Sequence, residues 1–139
     1  MKFILASHGD FAKGLLSSLN MLLGPQEGME AFGLYPEEEA ARLGERLAAS
    51  IAGQPEGSVV FFTDLYFGSP FNQAVALART HDIYHITGVN LPALIEAAVA
   101  RNAGKSPQEV CVAAMAASQD SIKDVRLLLA QEGQEEEEW

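Results

Sequence analysis

Four short apolar runs alternate along this chain with segments of helical periodicity, and this alternation restricts the fold more than any other feature. The clearest run, Val59–Phe62, is continuous and rich in β-branched and aromatic residues, as expected of a strand buried on both faces. Three similar runs lie at Lys2–Ala6, Met29–Leu34 and Ile83–Thr87. The order of strand, helix, strand and helix predicts an α/β protein with three α/β/α layers around an open, mostly parallel sheet.

Helical patterns fill the intervals between the predicted strands. In the first interval, apolar residues recur at helical spacing and Gly24-Pro25 ends the pattern; these residues are Phe11, Leu15, Leu19 and Leu22. Further helices are predicted at Glu37–Ala52, from Ser69 to about Arg79, from Asn90 to about Asn102, and over most of Pro107–Glu132.

The segment after Gln119 fits two structures. Ile122, Val125 and Leu129 are spaced as in a helix, whereas Val125, Leu127 and Leu129 alternate as in a strand. The sequence therefore leaves open whether the four strands are joined by a fifth.

Length and composition suit one domain. The chain has 139 residues, of which 48% are hydrophobic, enough to fill one core. We assign residues 1–132 to this domain and expect the acidic remainder, residues 133–139, to be a disordered tail. No apolar run approaches the ~18 residues of a membrane span, and Met1–His8 becomes polar too early for a signal peptide, so a cytoplasmic location is expected. The formal charge of -10 argues against binding to nucleic acid or anionic lipid.

Two of the predicted strands end in side chains that are capable of chemistry. The first strand ends at His8 and the third at Asp64, and ligands of such sheets bind beyond the carboxyl ends of the strands. We therefore expect both side chains at one edge of the sheet. An aspartate that accepts a hydrogen bond from Nδ1–H leaves Nε2 with a free lone pair. It also stabilises the positive charge that develops when Nε2 attacks an electrophile.

The loop after Asp64 has residues suited to binding a phosphate. Gly68 permits close approach of the backbone, Ser69 is a good N-cap and Pro70 a good first residue of a helix. The helix that begins here offers unpaired N–H groups and a positive dipole end. A similar helix start, Gly88–Pro92, follows the fourth strand. These pieces are those required for a histidine phosphorylated beside helix amides.

Other potential sites are interpreted as structural. His81 and His85 flank the fourth strand without a spaced partner, so we interpret both as ordinary strand-end or edge residues. The sequence has no Cys-x-x-Cys, His-Glu-x-x-His or P-loop motif, so no metal or nucleotide is expected. Cys111 is interpreted as a small buried residue. Lys13 and Arg79 are interpreted as solubilising cations, with attraction of a phosphate as the alternative.

Taken together, these motifs resemble the EIIA domain of the mannose/fructose/sorbose family of bacterial phosphoenolpyruvate-dependent sugar phosphotransferase systems. The resemblance runs from residue 1 to about residue 130. It is carried by Ser7-His8-Gly9, Leu22-Leu23-Gly24, Thr63-Asp64, Gly68-Ser69-Pro70-Phe71-Asn72 and Gly88-Val89-Asn90-Leu91-Pro92.

The resemblance implies a phosphocarrier that works without a cofactor. His8 would accept phosphate on Nε2 from phospho-HPr and pass it to a histidine of an EIIB partner. Asp64 would be the hydrogen-bond partner of His8, and Ser69, with Gly68, would lie near the phosphate. The resemblance also implies a homodimer, in some members with an exchanged C-terminal strand. The membrane would be involved only indirectly, through the sugar permease.

One position departs from the family pattern. The family loop commonly has two glycines before Ser/Thr-Pro-Phe, whereas here the first is replaced by Phe67, with Tyr66 beside it. If that position requires a positive φ, phenylalanine is strained there, and the loop and its docking of partners would differ. Three alternative functions stay open: a regulatory phosphorylation module, the phosphotransfer subunit of a dihydroxyacetone kinase system, and a flavodoxin-like binding domain without chemistry.

Overall fold

A computed structural model describes the backbone of residues 1–137 and the side chains of residues 1–134. In chain order, its elements within this range are β1 (Lys2–His8), α1 (Phe11–Leu23), β2 (Met29–Leu34), α2 (Ala40–Ile51), β3 (Val59–Thr63), α3 (Ser69–Ala78), β4 (Ile83–Thr87), α4 (Leu91–Asn102), α5 (Pro107–Gln119) and α6 (Val125–Glu137). Among the helices of residues 1–137, there is none with the length and apolar character needed to span a bilayer.

The strands form one sheet in the order β2-β1-β3-β4, with every pairing parallel. Parallel neighbours require crossover connections, and the helices between the strands supply them. The predicted open α/β sheet of three layers is therefore confirmed. Since β1 and β3 are the two central strands, their carboxyl ends lie side by side at one edge of the sheet.

Each face of the sheet packs against helices through its own apolar cluster. Successive strand residues point to opposite faces, so the continuous apolar runs supply both clusters. The strand residues facing α1, α4 and α5 include Phe3, Leu5, Val60 and Phe62. Those facing α2 and α3 include Ile4, Ala6, Val59 and Phe61. Burial of one such large side chain stabilises the fold by about 1.5–3 kcal/mol, so these clusters hold the edge that carries the candidate site.

The helix predicted from Glu37 begins three residues later, at Ala40. Glu37 has a positive φ of 67°, and the carboxylate of Glu38 accepts a hydrogen bond from the backbone N–H of Tyr35 at 3.1 Å. The glutamates at this point therefore build a turn between β2 and α2, and the acidic run that resembles a helix start lies outside the helix.

The segment after Gln119 adopts the helical alternative, α6, and the part of the sheet that the structure describes has no fifth strand. Asp124 accepts a hydrogen bond from the N–H of Leu127 at 3.2 Å, and this bond caps the first turn of the helix. The helix thus forms its hydrogen bonds locally, whereas a strand would need a neighbouring strand to pair with. The helix continues through Glu137, past the expected domain boundary at residue 132. The expected tail overlaps this helix, and its residues 138–139 lie outside the described residues.

Candidate functional site

His8 and Asp64 meet at the carboxyl edge of the sheet, as the sequence predicts. The register of the central strands aligns Ala6 with Thr63, so Asp64, the residue after Thr63, lies beside the end of β1. The Nδ1 atom of His8 lies 2.8 Å from Oδ2 of Asp64. The same oxygen accepts the backbone N–H of His8 at 2.9 Å, so the carboxylate holds both the ring and the main chain of His8.

These hydrogen bonds determine which ring nitrogen of His8 is available. A carboxylate only accepts hydrogen bonds, so Nδ1 carries the proton and Nε2 keeps its lone pair in the neutral ring. The His8 side chain is 48% exposed, whereas that of Asp64 is 14% exposed. The second oxygen of Asp64, Oδ1, is buried and has no hydrogen-bond partner among the described residues. The arrangement thus leaves the imidazole of His8 half exposed and keeps its negative partner shielded.

Gly68 lies against the His8 ring. A Cβ atom at this glycine would stand 2.9 Å from Cε1 of His8, closer than such contacts occur. Its φ of -76° is ordinary, so glycine is required here for space, in agreement with the predicted close approach of the backbone. The backbone at Gly68 therefore lies beside the ring carbon that joins Nδ1 and Nε2.

The N-terminus of α3 follows immediately. Gly68 is the N-cap and Ser69 the first helical residue, one position earlier than predicted, and no side-chain capping bond is formed. The first intrahelical bond runs from the N–H of Asn72 to Gly68. The N–H groups of Ser69 and Phe71 therefore have no acceptor within the helix, and Pro70 has no N–H. Two backbone donors and a positive dipole end lie close to the His8 ring.

Ser7 fixes the turn between His8 and α1, a role that the sequence reasoning missed. Its side chain is fully buried, and its hydroxyl oxygen accepts the N–H of Ala12 at 2.7 Å. The residue between the two elements, Gly9, has a φ of 56°, which glycine adopts without strain. A serine followed closely by a helix start is the sequence signal that could have revealed this cap.

The loop residues before Gly68 expose aromatic surface. Phe67 has a φ of 62°, so the positive φ considered for the position of the replaced glycine is found. Tyr66 and Phe67 are 62% and 70% exposed. Their ring centroids lie 4.0 Å apart, and the Phe71 ring lies 5.6 Å from that of Phe67.

His85 belongs to a polar network beneath the site that the sequence did not reveal. Its Nε2 atom lies 2.7 Å from the hydroxyl of Thr63, which donates to the hydroxyl of Thr87 at 2.8 Å. The ring also packs beside Phe71 at a centroid distance of 5.2 Å. Burial lowers the pKa of His85 to about 4, so the ring is neutral near pH 7 and acts here through hydrogen bonding.

The remaining candidates lie elsewhere or have other partners. Lys13 donates a hydrogen bond to the hydroxyl of Tyr35 at 2.9 Å, and this bond raises the pKa of the lysine. Arg79 follows the last residue of α3, about 15 Å along the helix from Ser69, so it does not reach the His8 ring. Within the described part of the chain, His, Cys, Asp and Glu side chains do not gather in groups of three that could hold a metal.

The fold and this geometry define a class of protein. It is a parallel α/β domain with an accessible imidazole, oriented by a shielded carboxylate, beside the N-terminus of a helix. The family model of the phosphotransferase system (PTS) fructose IIA component, EIIA-man, matches residues 2–123. The chain therefore belongs to the mannose-type EIIA family, whose members are components of phosphotransferase systems.

Individual relatives agree with this assignment. The mannose-specific EIIAB component of the Escherichia coli K12 phosphotransferase system is 33% identical over 125 residues, which are 88% of this chain but 39% of that relative. The fructose-specific EIIA component of Bacillus subtilis 168 is 32% identical over 95 residues, covering 67% of this chain and 65% of the relative. The crystal structure of an EIIA component from Streptococcus agalactiae superposes with a TM-score of 0.82 at 26% identity, covering 91% and 98% of the two chains.

Proposed function

We propose that this chain is the phosphocarrier of a mannose-type sugar phosphotransferase system. His8 accepts a phosphoryl group on Nε2 from phospho-HPr and passes it to a histidine of an EIIB component, which serves sugar uptake. The observation that carries the proposal is the bond from Nδ1 of His8 to Asp64 at 2.8 Å, because it leaves Nε2 as the exposed nucleophile. Family membership supports the same assignment.

The proposed transfer is an in-line exchange between two imidazoles. The lone pair of Nε2 attacks the phosphorus of the donor phosphohistidine, and the donor N–P bond breaks as the new bond forms. The departing donor imidazole keeps the electron pair of that bond. The proton on Nδ1 stays in place, so the phosphorylated ring of His8 is cationic and lies against the Asp64 carboxylate. No oxidant, metal or nucleotide takes part in this exchange.

Gly68 and Ser69 are proposed to receive the phosphoryl oxygens. The N–H of Ser69 has no acceptor within α3, and its position as the first helical residue puts it at the positive end of the helix dipole. The missing side chain at Gly68 provides the space that a phosphoryl group on Nε2 requires. The phosphate would therefore be held by backbone donors, with the hydroxyl of Ser69 as a further donor.

The proposed partners set the proposed location. The proposed relay, in which phosphate passes from phospho-HPr through this chain to EIIB, would operate in the cytoplasm. We therefore propose a cytoplasmic location, with the membrane involved only through the sugar permease. The formal charge of -10 disfavours binding to nucleic acid.

Reconstitution of the relay tests the proposal. With phosphoenolpyruvate, enzyme I and HPr, the chain should gain about 80 Da, the mass of one phosphoryl group, and lose it on addition of EIIB. His8→Ala should fold and gain no phosphate, since the exposed ring contributes little to the core. Phosphate retained by His8→Ala would contradict the proposal, as would a phosphorylated chain that no EIIB can discharge.

A homodimer is also proposed. Val125, Leu127 and Leu129 on α6 are 60%, 60% and 62% exposed, so the C-terminal segment offers apolar side chains to a neighbour. The strand β4 lies at an edge of the sheet, and such edges are usually covered or paired. A second copy that covers both features through the residues after about Ser118 would form a two-fold dimer.

Light scattering at micromolar concentrations measures this assembly. The full chain should run as a dimer, and deletion of residues 119–139 should give monomer or aggregate. Deletion of residues 134–139 alone is the matched control and should leave the dimer intact, because it spares the apolar side chains of α6. A monomeric full-length chain would contradict the dimer without affecting the proposed chemistry at His8.

A further inference from the structure

The loop that leads to Gly68 exposes an apolar surface beside His8. Leu65, Tyr66 and Phe67 are 58%, 62% and 70% exposed, and we call these three residues the aromatic ridge. Its last residue, Phe67, is bonded to the glycine that lies against the His8 ring. The ridge is therefore continuous with the proposed phosphorylation site.

Phe67 holds this exposed position at a conformational cost. Its φ of 62° is unfavourable for a residue with a Cβ atom. Stacking on Tyr66 and Phe71 fixes the ring, yet most of its surface stays in water, so the fold gains little from its burial. Strained backbone and exposed aromatic side chains beside a reactive group are features of binding surfaces.

We propose that the aromatic ridge is the docking surface for the phosphoryl donor protein, with Phe67 as a specificity-determining residue. The inference rests on the proposed transfer to His8. Two imidazole nitrogens must stand on opposite sides of one phosphorus atom, so the donor surface comes into contact with the surroundings of Nε2. Because Phe67 is bonded to the glycine that lies against the His8 ring, a donor protein that reaches Nε2 comes beside the ridge.

Charge identifies the donor, rather than the acceptor, as the partner that depends on this apolar contact. The donor brings an anionic phosphoryl group toward Asp64 on a chain of formal charge -10, so Coulomb repulsion opposes its approach. Burial of the apolar ridge would stabilise the complex with the donor whatever the charges of the two proteins. The acceptor meets His8 after phosphorylation, when the added negative charge attracts a cationic surface. The expected donor surface has an apolar ring around its phosphohistidine.

Steady-state transfer from phospho-HPr tests the inference. Phe67→Asn keeps a residue that tolerates positive φ and removes the aromatic area, so the KM for phospho-HPr should rise about 10-fold, as for loss of a buried interface aromatic. The kcat should stay within about threefold, since the chemistry at Nε2 is retained. Phe67→Tyr keeps the ring and should retain the wild-type KM. Tyr66→Ser leaves the strained position untouched and should also raise KM.

The matched control is Met21→Asn. Met21 is 90% exposed and lies on α1 about 15 Å from the end beside His8, so its replacement should not change KM. An unchanged KM in both Phe67→Asn and Tyr66→Ser would overturn the inference. Slower discharge to EIIB with an unchanged KM for phospho-HPr would also overturn it, because the ridge would then serve the acceptor.

Phosphoramidate separates this inference from the proposed function. This small molecule transfers a phosphoryl group to accessible imidazoles without a protein partner. Wild-type chain whose His8 is charged neither by phosphoramidate nor by phospho-HPr would overturn the proposed function, and the docking inference with it. Wild-type chain that is charged by both donors, with an unaltered KM in the ridge variants, would overturn the docking inference alone.

Discussion

Two adjacent loops at the carboxyl edge of the sheet each lead from a strand into a helix, but their local structures differ. Residues 64–68 connect β3 to α3, and residues 88–90 connect β4 to α4; both helices have a proline near their start. In the second loop the positive φ of 73° falls on Gly88, Val89 is buried, and the Asn90 side chain accepts the N–H of Ala93 at 3.0 Å. Each residue of that loop follows the local rules for stability.

The first loop departs from the same rules. Its positive φ falls on Phe67, its N-cap Gly68 has no side chain to accept a hydrogen bond, and Asp64 keeps a buried oxygen without a partner among the described residues. Local violations of this kind concentrate at functional sites, where the rest of the fold compensates for them. The contrast agrees with the proposal that residues 64–68 serve phosphoryl transfer and docking, whereas residues 88–90 serve stability.

The largest expected effect separates the two loops by activity. Asp64→Asn keeps the shape of the side chain but removes the charge that supports a cationic His8 ring, so phosphoryl transfer should slow by about 10- to 1,000-fold. Its free energy of unfolding should change little, because the amide oxygen can still accept the two hydrogen bonds of His8, and the unpartnered oxygen becomes an equally unpartnered amide nitrogen. Asn90→Ala should do the reverse, lowering the free energy of unfolding by about 1 kcal/mol at a near wild-type transfer rate. Equal rates in the two variants would remove the functional distinction between the loops.

The pH dependence of stability tests the network that joins the bases of the two loops. The folded-state pKa of His85 is lowered to about 4 from an ordinary value of 6.5. Below pH 6.5 the unfolded chain therefore binds a proton that the folded chain excludes, and stability falls as the pH falls toward 4. The slope is at most about 1.4 kcal/mol per pH unit, and solvent screening reduces it because the ring is only partly buried.

Urea unfolding at about pH 7.5 and about pH 5 measures this dependence. His85→Gln keeps a hydrogen-bond donor to Thr63 and does not titrate, so its stability should change less between the two conditions than that of the wild type. Tyr84→Phe alters the opposite face of β4 and should retain the wild-type difference. Identical differences in all three proteins would show that His85 is not held neutral in the fold.

The smallest expected effects come from replacing glycine at the positive-φ position of one loop and introducing it at that of the other. Gly88→Ala adds a Cβ that meets no atom within 4 Å, so its cost of about 1 kcal/mol comes from positive φ alone. Phe67→Gly relieves such a cost but loses stacking and gains freedom in the unfolded chain, so the free energy of unfolding should stay level or rise by up to ~1 kcal/mol. A loss above ~1 kcal/mol in Phe67→Gly would show that the fold itself requires the ring.

The sequence predicts the part of this site that depends on strand ends. Apolar runs located His8 and Asp64, and the common edge of a parallel sheet brought them together. The closeness of Gly68 followed from its lack of a side chain. The strain at Phe67 followed from comparing one position with the family pattern. In each case, a local pattern carried the information.

What the sequence did not reveal depends on register and on competing local structure. The bonds of Thr63 reach residues that lie 22 and 24 positions away, and they exist only because β3 and β4 are aligned in parallel. At Glu38, a side-chain bond to the main chain of Tyr35 replaced the first turn of a predicted helix. After Gln119, the apolar spacing fitted a helix and a strand almost equally. The hydrogen bond by which Asp124 caps α6 exists only once the helix has formed, so the spacing alone could not distinguish the two.

The most direct test of the central claim is the position of the N–P bond in the phosphorylated chain. Heteronuclear NMR of protein labelled with ¹⁵N at histidine, charged through phosphoenolpyruvate, enzyme I and HPr, distinguishes the three histidines and the two nitrogens of each ring. Because Asp64 accepts a hydrogen bond from Nδ1 of His8 at 2.8 Å, the phosphorus should couple to Nε2 of His8, with Nδ1 still protonated. Phosphorus on Nδ1 of His8, or on either nitrogen of His81 or His85, would contradict the account.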